Sequence, residues 1–382
     1  MPSLTFADSF SLRNGVADCR LLVNYGKAFP AALSGAELVA VSGHTAGTCG
    51  AWDRGLANVI VADYVQGCGI AKEQVYHPVT NPTGARCTLW DTNVASFGRD
   101  PRTGFARRSY DNVGLQYGLK ALNAGAISTA QFLDLNARIG GFTNDGHPRP
   151  ERSAGDPEAI RLAYATGRVD AGAGGLGSVP ILHYRSYNDP LGDIHDRFRD
   201  FTVRARITKT FGRADNGVIW LYNTRDTTTG ARVAAEALDT MGAWLDSLRN
   251  DTSARPAIEK VVAAKPTRAT DGCWDKDGTR IDEVATFDGT GRCNTLYPVH
   301  TNSRLVAGAP LTDDILKCQL KPIAVSDYAA PFSAAELTRL QAIFPGGVCD
   351  FAKPSVNYAP LAGTYLTLPL AAGRMTPTAA QR

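Results

Sequence analysis

The chain has 382 residues, of which 44% are hydrophobic and 20% are charged, and its formal net charge is +3. This composition is typical of a globular protein and excludes a disordered or fibrous one. No apolar stretch approaches the roughly 18 residues of a membrane span. The small net charge gives no indication of a nucleic-acid or anionic-membrane partner. A chain of this length forms either one large domain with an insertion or two domains.

The first half of the chain predicts mostly short elements and then a helical block. Residues 1 to about 110 mix short apolar runs with Gly, Asn and Pro, which predicts loops and short helices. Apolar residues at helical spacing predict a helix over 111–123. A capping box at 128–131 and an Asp-Pro cap at 156–157 predict two more helices. We expect this block to form a helical cap.

Beyond residue 178 the pattern alternates between strands and helices. The predicted elements are a strand at 179–184, a helix at 193–206, a strand at 217–222 and a helix at 231–249. This order predicts a parallel sheet with crossover helices. The remainder, 250–382, is rich in loops, with one helix after a capping box at 333–336. Two strands are too few for a complete sheet, so we expect further strands from the first hundred residues or from polypeptide outside this chain.

The eight cysteines fall into two clusters of four, and none belongs to a C-x-x-C pair. The clusters are Cys19, Cys49, Cys68 and Cys87, and Cys273, Cys293, Cys318 and Cys349. Even clusters in loop-like surroundings predict about four disulfides, and therefore a secreted or periplasmic protein. Buried free thiols in a cytosolic enzyme are the alternative. The first six residues lack the features of a secretion signal, so we expect a processed chain or a fragment.

Segment 189–200 is the strongest candidate for chemistry. It places His195 among Asp189, Asp193 and Asp196, directly after a predicted strand. Open α/β sheets place acid and base groups at the carboxyl ends of their strands. A carboxylate beside an imidazole fixes its tautomer and raises its basicity, as a general base requires. The alternative is an ordinary amphipathic helix whose charges form i,i+4 pairs.

Other motifs add one further base and no cofactor. His300 is the alternative base, because it lies in the region where the histidine of a Ser, Asp, His order would fall. The sequence contains no Gly-x-Ser-x-Gly. The G-x-G-x-x-G at 172–177 precedes a strand, whereas a dinucleotide site follows one. The acidic loop at 271–282 does not have EF-hand spacing. We predict neither a cofactor nor a resident metal.

Five short motifs carry a resemblance to known proteins. They are YDNVGLQYGL at 110–119, VPIL at 179–182, GDIHDRFR at 192–199, VAGAP at 306–310 and LKCQLKP at 316–322. Over about residues 1 to 360, the chain resembles the C-terminal portion of a family of large, secreted, uncharacterised bacterial proteins. That family is distantly similar to tannase and feruloyl esterase α/β-hydrolases and to hydroxybutyrate-oligomer hydrolases.

The resemblance implies an α/β-hydrolase-like parallel sheet, incomplete in this chain, with a large helical cap insertion. In such hydrolases the cap follows the sixth strand, the catalytic acid follows the seventh and the histidine follows the eighth. Residues 1–6 would end the sixth strand. The hydrolase core would comprise 1–9 and 179–382, with a loop-rich C-terminal extension, and the cap would comprise 10–178.

The same resemblance implies roles for the candidate residues. Asp189 would be the catalytic acid, with Asp196 or Asp193 as alternatives, and the nucleophilic serine would lie before residue 1. Segment 223–230, after the implied eighth strand, has no histidine. The base would therefore be His195, with His300 as the alternative, or it would be absent.

We therefore expect a secreted serine esterase that cleaves carboxylic esters through an acyl-enzyme. Tyr110 and Tyr117 would shape the substrate pocket. The expected partners are a small or polymeric ester and the N-terminal part of the chain's own precursor, but neither nucleic acid nor membrane. The alternatives are a non-catalytic secreted binding protein on a hydrolase scaffold, and an amide or lactone hydrolase.

Overall fold

The computed structural model of the chain describes residues 9–45, 48–56, 60–63 and 68–362. The fold is mixed α/β, with a helical region in the first half and a four-stranded sheet in the second. The strand predicted for residues 1–6 lies outside the described residues. Among the described residues, none of the helices combines the length and the apolar character needed to cross a bilayer.

The helical region contains seven helices and one small hairpin among the described residues. They are α1 (Ser9–Ala28), α2 (Gly35–Ser42), α3 (Thr48–Leu56), α4 (Val94–Phe97), α5 (Leu119–Asn123), α6 (Thr129–Arg138), β1 (Gly141–Phe142), β2 (Pro148–Arg149) and α7 (Pro157–Ala165). The predicted capping box of α6 is confirmed, because the Ser128 side chain accepts a hydrogen bond from the Gln131 backbone N–H. The predicted cap of α7 is also confirmed: Asp156 accepts from Ala159 N.

The predicted helix over 111–123 is wrong for most of its length. Only α5 at its end is helical. Gly114 and Gly118 adopt φ angles of 78° and 81°, a left-handed conformation that interrupts a right-handed helix and that glycine adopts at little cost. Leu115 and Leu122 are nevertheless buried. Leu115 packs from the loop and Leu122 packs from α5, so burial alone explains why both positions are apolar.

The second half of the chain contains the sheet and its helices. The elements are β3 (Ile181–Tyr187), α8 (Phe198–Phe211), β4 (Gly217–Asn223), α9 (Thr227–Asn250), α10 (Ala257–Ala263), β5 (Gly272–Trp274), β6 (Arg280–Asp282), α11 (Arg292–Leu296), α12 (Ser303–Val306), β7 (Gln319–Lys321), α13 (Ala334–Ile343) and β8 (Val348–Asp350). The capping box predicted at the start of α13 is confirmed.

The sheet has the order β3-β4-β5-β6. The predicted parallel pairing of the first two strands is confirmed, with Ile181 opposite Gly217 and Tyr187 opposite Asn223. β5 pairs parallel to β4, and β6 pairs antiparallel to β5. Within the described residues these added strands come from 272–282, so the expectation that the first hundred residues supply them is wrong there. Within the part of the chain that the structure describes, β3 lies at one edge of this sheet.

Helices cover both faces of the sheet. On one face, Val233 and Trp244 of α9 pack with Val218 and Trp220 of β4. The other face carries His183 and Arg185 of β3, which contact Asp200 of α8. Successive side chains of a strand point to opposite faces, so α8 and α9 lie on opposite sides. Helix α8 begins later than predicted, and His195 therefore lies in the loop before it.

The C-terminal elements pack with the helical region. Leu340 of α13 and the Cys318–Cys349 disulfide belong to the same hydrophobic core as Leu21 of α1 and Phe132 of α6. The predicted division assigned these late residues to the hydrolase core. The separation of a cap from a core stays a prediction.

All eight cysteines form disulfides, and each pair lies within one predicted cluster. The pairs are Cys19–Cys49, Cys68–Cys87, Cys273–Cys293 and Cys318–Cys349. The predicted number of disulfides is confirmed. Disulfides persist in oxidising compartments, so the four bonds fit an extracellular protein.

Candidate functional site

The loop that joins β3 to α8 carries the predicted acids and the predicted base. β3 ends at Tyr187, and a short 3₁₀ turn follows over Asp189–Leu191. Gly192 then adopts a left-handed φ of 75°, which reverses the chain. The loop lies at the carboxyl end of a parallel strand, the position predicted from the sequence.

His195 is held by Asp193. The imidazole Nδ1 lies 2.6 Å from Asp193 Oδ1, and the His195 backbone N–H donates to the same oxygen at 2.9 Å. Both side chains are about one-third exposed, at 34% and 31%. Partial burial acts to raise the pKa of Asp193, but the hydrogen bonds from His195 outweigh it, and the net pKa is lowered. The structure thus gives His195 an ionised carboxylate partner.

Asn188 fixes the second oxygen of the same carboxylate. Its Nδ2 donates to Asp193 Oδ2 at 3.2 Å and to Ser186 Oγ at 3.0 Å. The four side chains form a hydrogen-bonded series from Ser186 to His195. Such second partners restrict the orientation of a carboxylate and of the imidazole bound to it.

The other two predicted acids are buried. Asp189 Oδ1 accepts a hydrogen bond from the Arg197 backbone N–H at 3.0 Å, and burial raises the pKa of Asp189 to about 6. Burial also raises the pKa of Asp196 well above its usual range. Among the described residues, Oδ2 of each has no hydrogen-bond partner. Of the three candidate acids, Asp193 is the one that the structure places against the imidazole nitrogen.

A second imidazole–carboxylate pair lies beside the first. His183 Nδ1 is 3.1 Å from Asp200 Oδ1, and Arg185 Nη2 is 2.7 Å from the same oxygen. Burial of Asp200 acts to raise its pKa, but Arg185 and His183 lower it to about 2. His183 is not among the candidate residues that the sequence indicates. The available signal was the period of two, which puts His183 and Arg185 on one face of β3.

Both pairs line one cleft of about 490 Å³. Its wall includes all residues from Pro180 to Ser186, together with Asn188, Asp193, His195, Asp200, Tyr222 and Met241. The cleft therefore combines two imidazoles, two carboxylates and an apolar wall. Such a combination can bind an organic substrate and move a proton at it.

His300, Tyr110 and Tyr117 lie elsewhere. His300 is partly buried, which lowers its pKa. The next residue contacts the helical region, because the Thr301 backbone N–H donates a hydrogen bond to Gly43 O. Tyr110 and Tyr117 are buried, and their hydroxyls donate to Asp18 Oδ1 at 2.7 and 2.6 Å. Tyr117 has no exposed surface, so contact with a substrate would require this core to open.

One group among the described residues has donor atoms close enough to hold a metal ion: Cys19, His44 and Cys49. The two sulfurs form a disulfide, so neither is the thiolate that a metal needs. His44 is buried, and burial lowers its pKa to about 3. In this oxidised form the group does not fit a metal centre.

Comparison with known proteins identifies a family. A family model described as "Tannase-like family of unknown function (DUF6351)" matches residues 1–360. Neither the curated proteins nor the solved structures include a significant match.

Proposed function

Because the chain belongs to a tannase-like family of unknown function, we propose that it is part of a secreted hydrolase that cleaves carboxylic esters. The contact of 2.6 Å between His195 Nδ1 and Asp193 Oδ1 is the observation that supports His195 as the base and Asp193 as the acid. Tannase-like similarity supports the esterase type of hydrolysis. The four disulfides support a secreted or periplasmic location.

In this proposal His195 is the general base. It takes the proton from a serine hydroxyl as the serine attacks the ester carbonyl, and it returns the proton to the leaving alcohol. Asp193 stabilises the imidazolium that forms in between. A lowered pKa keeps Asp193 ionised at neutral pH, and Asp193 is the acid that lies within hydrogen-bond distance of the imidazole. Asp189 and Asp196 are buried, and burial raises their pKa values. The catalytic acid we propose is therefore Asp193.

We place the nucleophilic serine on polypeptide outside residues 1–382, in the N-terminal part of a longer precursor. The absence of Gly-x-Ser-x-Gly from the sequence supports this placement. The helical region would cover the site as a lid. A bond from Thr45 Oγ1 to Asp189 O, 3.3 Å long, supports that arrangement, because it joins the helical region to the catalytic loop.

A fluorophosphonate probe and a panel of esters test the proposal. We expect the precursor to be labelled and the isolated 382-residue chain to remain unlabelled. In the precursor, His195→Gln or Asp193→Asn lowers hydrolysis by about 10²- to 10⁴-fold, because the proton transfer is lost. His147→Gln is the matched control, since His147 is half-exposed and pairs only loosely with Asp63, at 3.6 Å. Labelling within residues 1–382 would refute the placement of the serine, and full activity of His195→Gln would refute the base.

Two other functions use the same scaffold. The absence of a histidine in 223–230, after β4, favours a secreted binding protein without catalysis. A precursor that binds esters but neither hydrolyses them nor reacts with the probe would establish it. Amide or lactone hydrolysis shares the acyl-enzyme chemistry, so a substrate panel separates it from ester hydrolysis.

A further inference from the structure

The helical region contains a cavity that is separate from the cleft around His195. Its volume is about 440 Å³, and residues of α1, α2, α3 and the loop between α1 and α2 line it. Leu22 and Leu33 in its wall are buried and belong to the hydrophobic core of this region. Its walls are mainly aliphatic side chains, and we call it the aliphatic cavity: Leu22, Val23, Pro30, Leu33, Leu38 and Val39.

Few polar groups face the aliphatic cavity. Among the described residues that line it, Lys27 is the one charged side chain, and the hydroxyls come from Ser42 and Thr45. Lys27 is 70% exposed, and its Nζ lies 4.0 Å from Asp53 Oδ2, so this charge lies at the rim. The same described lining includes neither an aromatic ring nor a carboxylate. It therefore favours a ligand with an aliphatic chain over an aryl group or a cation.

Two glycines in the wall leave the aliphatic cavity open. A Cβ atom added at Gly26 or Gly35 would meet no atom within 4 Å. Neither glycine has a left-handed φ angle, so the backbone conformation does not require glycine at these positions. Glycine inside a helix such as α1 is also less favourable than alanine. What the missing side chain of Gly26 provides is free volume in the cavity.

The aliphatic cavity adjoins the loop that carries the proposed catalytic residues. Thr45 lines the cavity, and its Oγ1 donates to Asp189 O at 3.3 Å. Helix α3, which forms one wall, contacts the 3₁₀ turn Asp189–Leu191. Ile194, directly before His195, packs against the hydrophobic core that forms part of the wall. A ligand that fills the cavity as far as Thr45 would therefore reach this loop.

We propose that the aliphatic cavity binds the aliphatic acyl chain of an ester substrate, with the ester carbonyl towards Thr45 and the catalytic loop. This inference rests on the proposed function and narrows its substrate class to esters of aliphatic acids. The cavity volume lies within the range of small-molecule sites. Each methylene group that enters an apolar cavity increases affinity about fourfold. Affinity therefore rises with chain length until the cavity is full.

Free acids test the cavity in the 382-residue chain without hydrolysis. We expect sodium octanoate to bind at least tenfold more tightly than sodium benzoate, and sodium butyrate to bind more weakly than octanoate. Two-dimensional NMR locates the ligand, because octanoate in the cavity shifts the backbone amide signals of Gly26, Leu38 and Thr45. Three results would overturn the proposal: equal binding of octanoate and benzoate, absence of octanoate binding at millimolar concentration, and shifts confined to the cleft around His195.

A size series at position 26 tests the location of the chain. Gly26→Ala leaves most of the free volume and changes octanoate binding less than threefold, whereas Gly26→Leu fills the cavity and weakens binding at least tenfold. Alanine and leucine are better helix formers than glycine, so these variants keep α1. Gly242→Leu in α9 is the matched control, because a Cβ atom at this helical glycine also meets no atom within 4 Å and Gly242 lies outside the cavity. Unchanged octanoate binding by a folded Gly26→Leu chain would overturn the proposal.

Hydrolysis by the precursor tests the role of the cavity in the reaction. With octanoyl and acetyl esters of the same alcohol, we expect Gly26→Leu to lower kcat/KM for the octanoyl ester at least tenfold more than for the acetyl ester. Equal losses for the two esters would overturn the assignment to the acyl chain. An inactive precursor whose 382-residue chain still binds octanoate would refute the proposed function and leave a site for a fatty acid. An active precursor whose chain does not bind octanoate would refute the cavity site alone.

Discussion

Two buried groups of charges in this protein differ in how completely their hydrogen bonds are satisfied. In the helical region, Asp18 accepts from Tyr110, Tyr117 and Arg304, whose Nε lies 2.8 Å from Asp18 Oδ2. In the loop and helix that follow β3, one carboxylate oxygen of Asp189, Asp196 and Asp200 has no partner within the described residues.

The difference concerns stability. A buried polar network with every group paired makes a core rigid and specific, whereas an unpaired buried oxygen is costly. Unsatisfied groups with shifted pKa values cluster at functional sites. The paired network in the helical region therefore stabilises the fold, whereas the unpaired oxygens of Asp189, Asp196 and Asp200 cost stability. Of these three acids, Asp200 lines the cleft.

The largest expected effect breaks the helical network. Arg304→Met leaves Asp18 buried without its counter-charge, which lowers the free energy of unfolding by about 3 to 5 kcal/mol in urea denaturation. Arg249→Met is the control, because the Arg249–Asp246 pair is largely exposed, and it changes stability by about 0.5 kcal/mol or less. A small effect of Arg304→Met would contradict the structural role.

The next effect concerns the disulfide in the same core. Replacing Cys318 and Cys349 by Ala opens a loop of 31 residues. The free energy of unfolding falls by about 3 to 4 kcal/mol, mainly because the unfolded chain gains conformational entropy when the disulfide no longer restricts it. Thermal unfolding measures this loss of stability. Ile194, between Asp193 and His195, packs against this core, so NMR signals of His195 show whether opening the disulfide reaches the loop. A loss of stability below about 1 kcal/mol would contradict the expected effect of the disulfide.

A smaller effect depends on pH and involves Asp189, which is buried in the loop after β3. Burial raises the pKa of Asp189 from 3.8 to about 6, so folding favours the protonated form. The stabilisation is complete below the unfolded pKa and is lost as the pH rises through the folded pKa. Asp189→Asn cannot ionise. Its stability relative to the wild type therefore increases by about 2 to 3 kcal/mol between pH 4 and pH 8. A constant difference across this range would rule out the raised pKa.

The smallest expected effect distinguishes core from pocket. Tyr117→Phe removes one of the hydroxyls bound to Asp18 and lowers the free energy of unfolding by about 1 to 2 kcal/mol, because a hydrogen bond to a charged group is lost. If Tyr117 acts only in the core, KM of the precursor for esters does not change. A large increase in KM with unchanged stability would instead support the predicted contact with substrate.

Local signals in the sequence determined much of the fold. The caps of α6, α7 and α13 depend on hydrogen bonds between residues three positions apart, so the sequence alone predicts them. The parallel pairing of β3 and β4 follows from the order of strand, helix and strand. The two even clusters of cysteines predicted the number of disulfides because each pair closes a loop within its own cluster.

Only the tertiary structure decided the candidate site. Asp189, Asp193 and Asp196 are equivalent in spacing around His195, and burial by distant segments separates them into one ionised partner and two acids with raised pKa values. The partnership of His183 with Asp200, the burial of Tyr117 and the packing of α13 against the helical region likewise depend on contacts between residues far apart in the chain. Local spacing cannot determine such contacts, because burial and electric field at a side chain come from whichever segments fold around it.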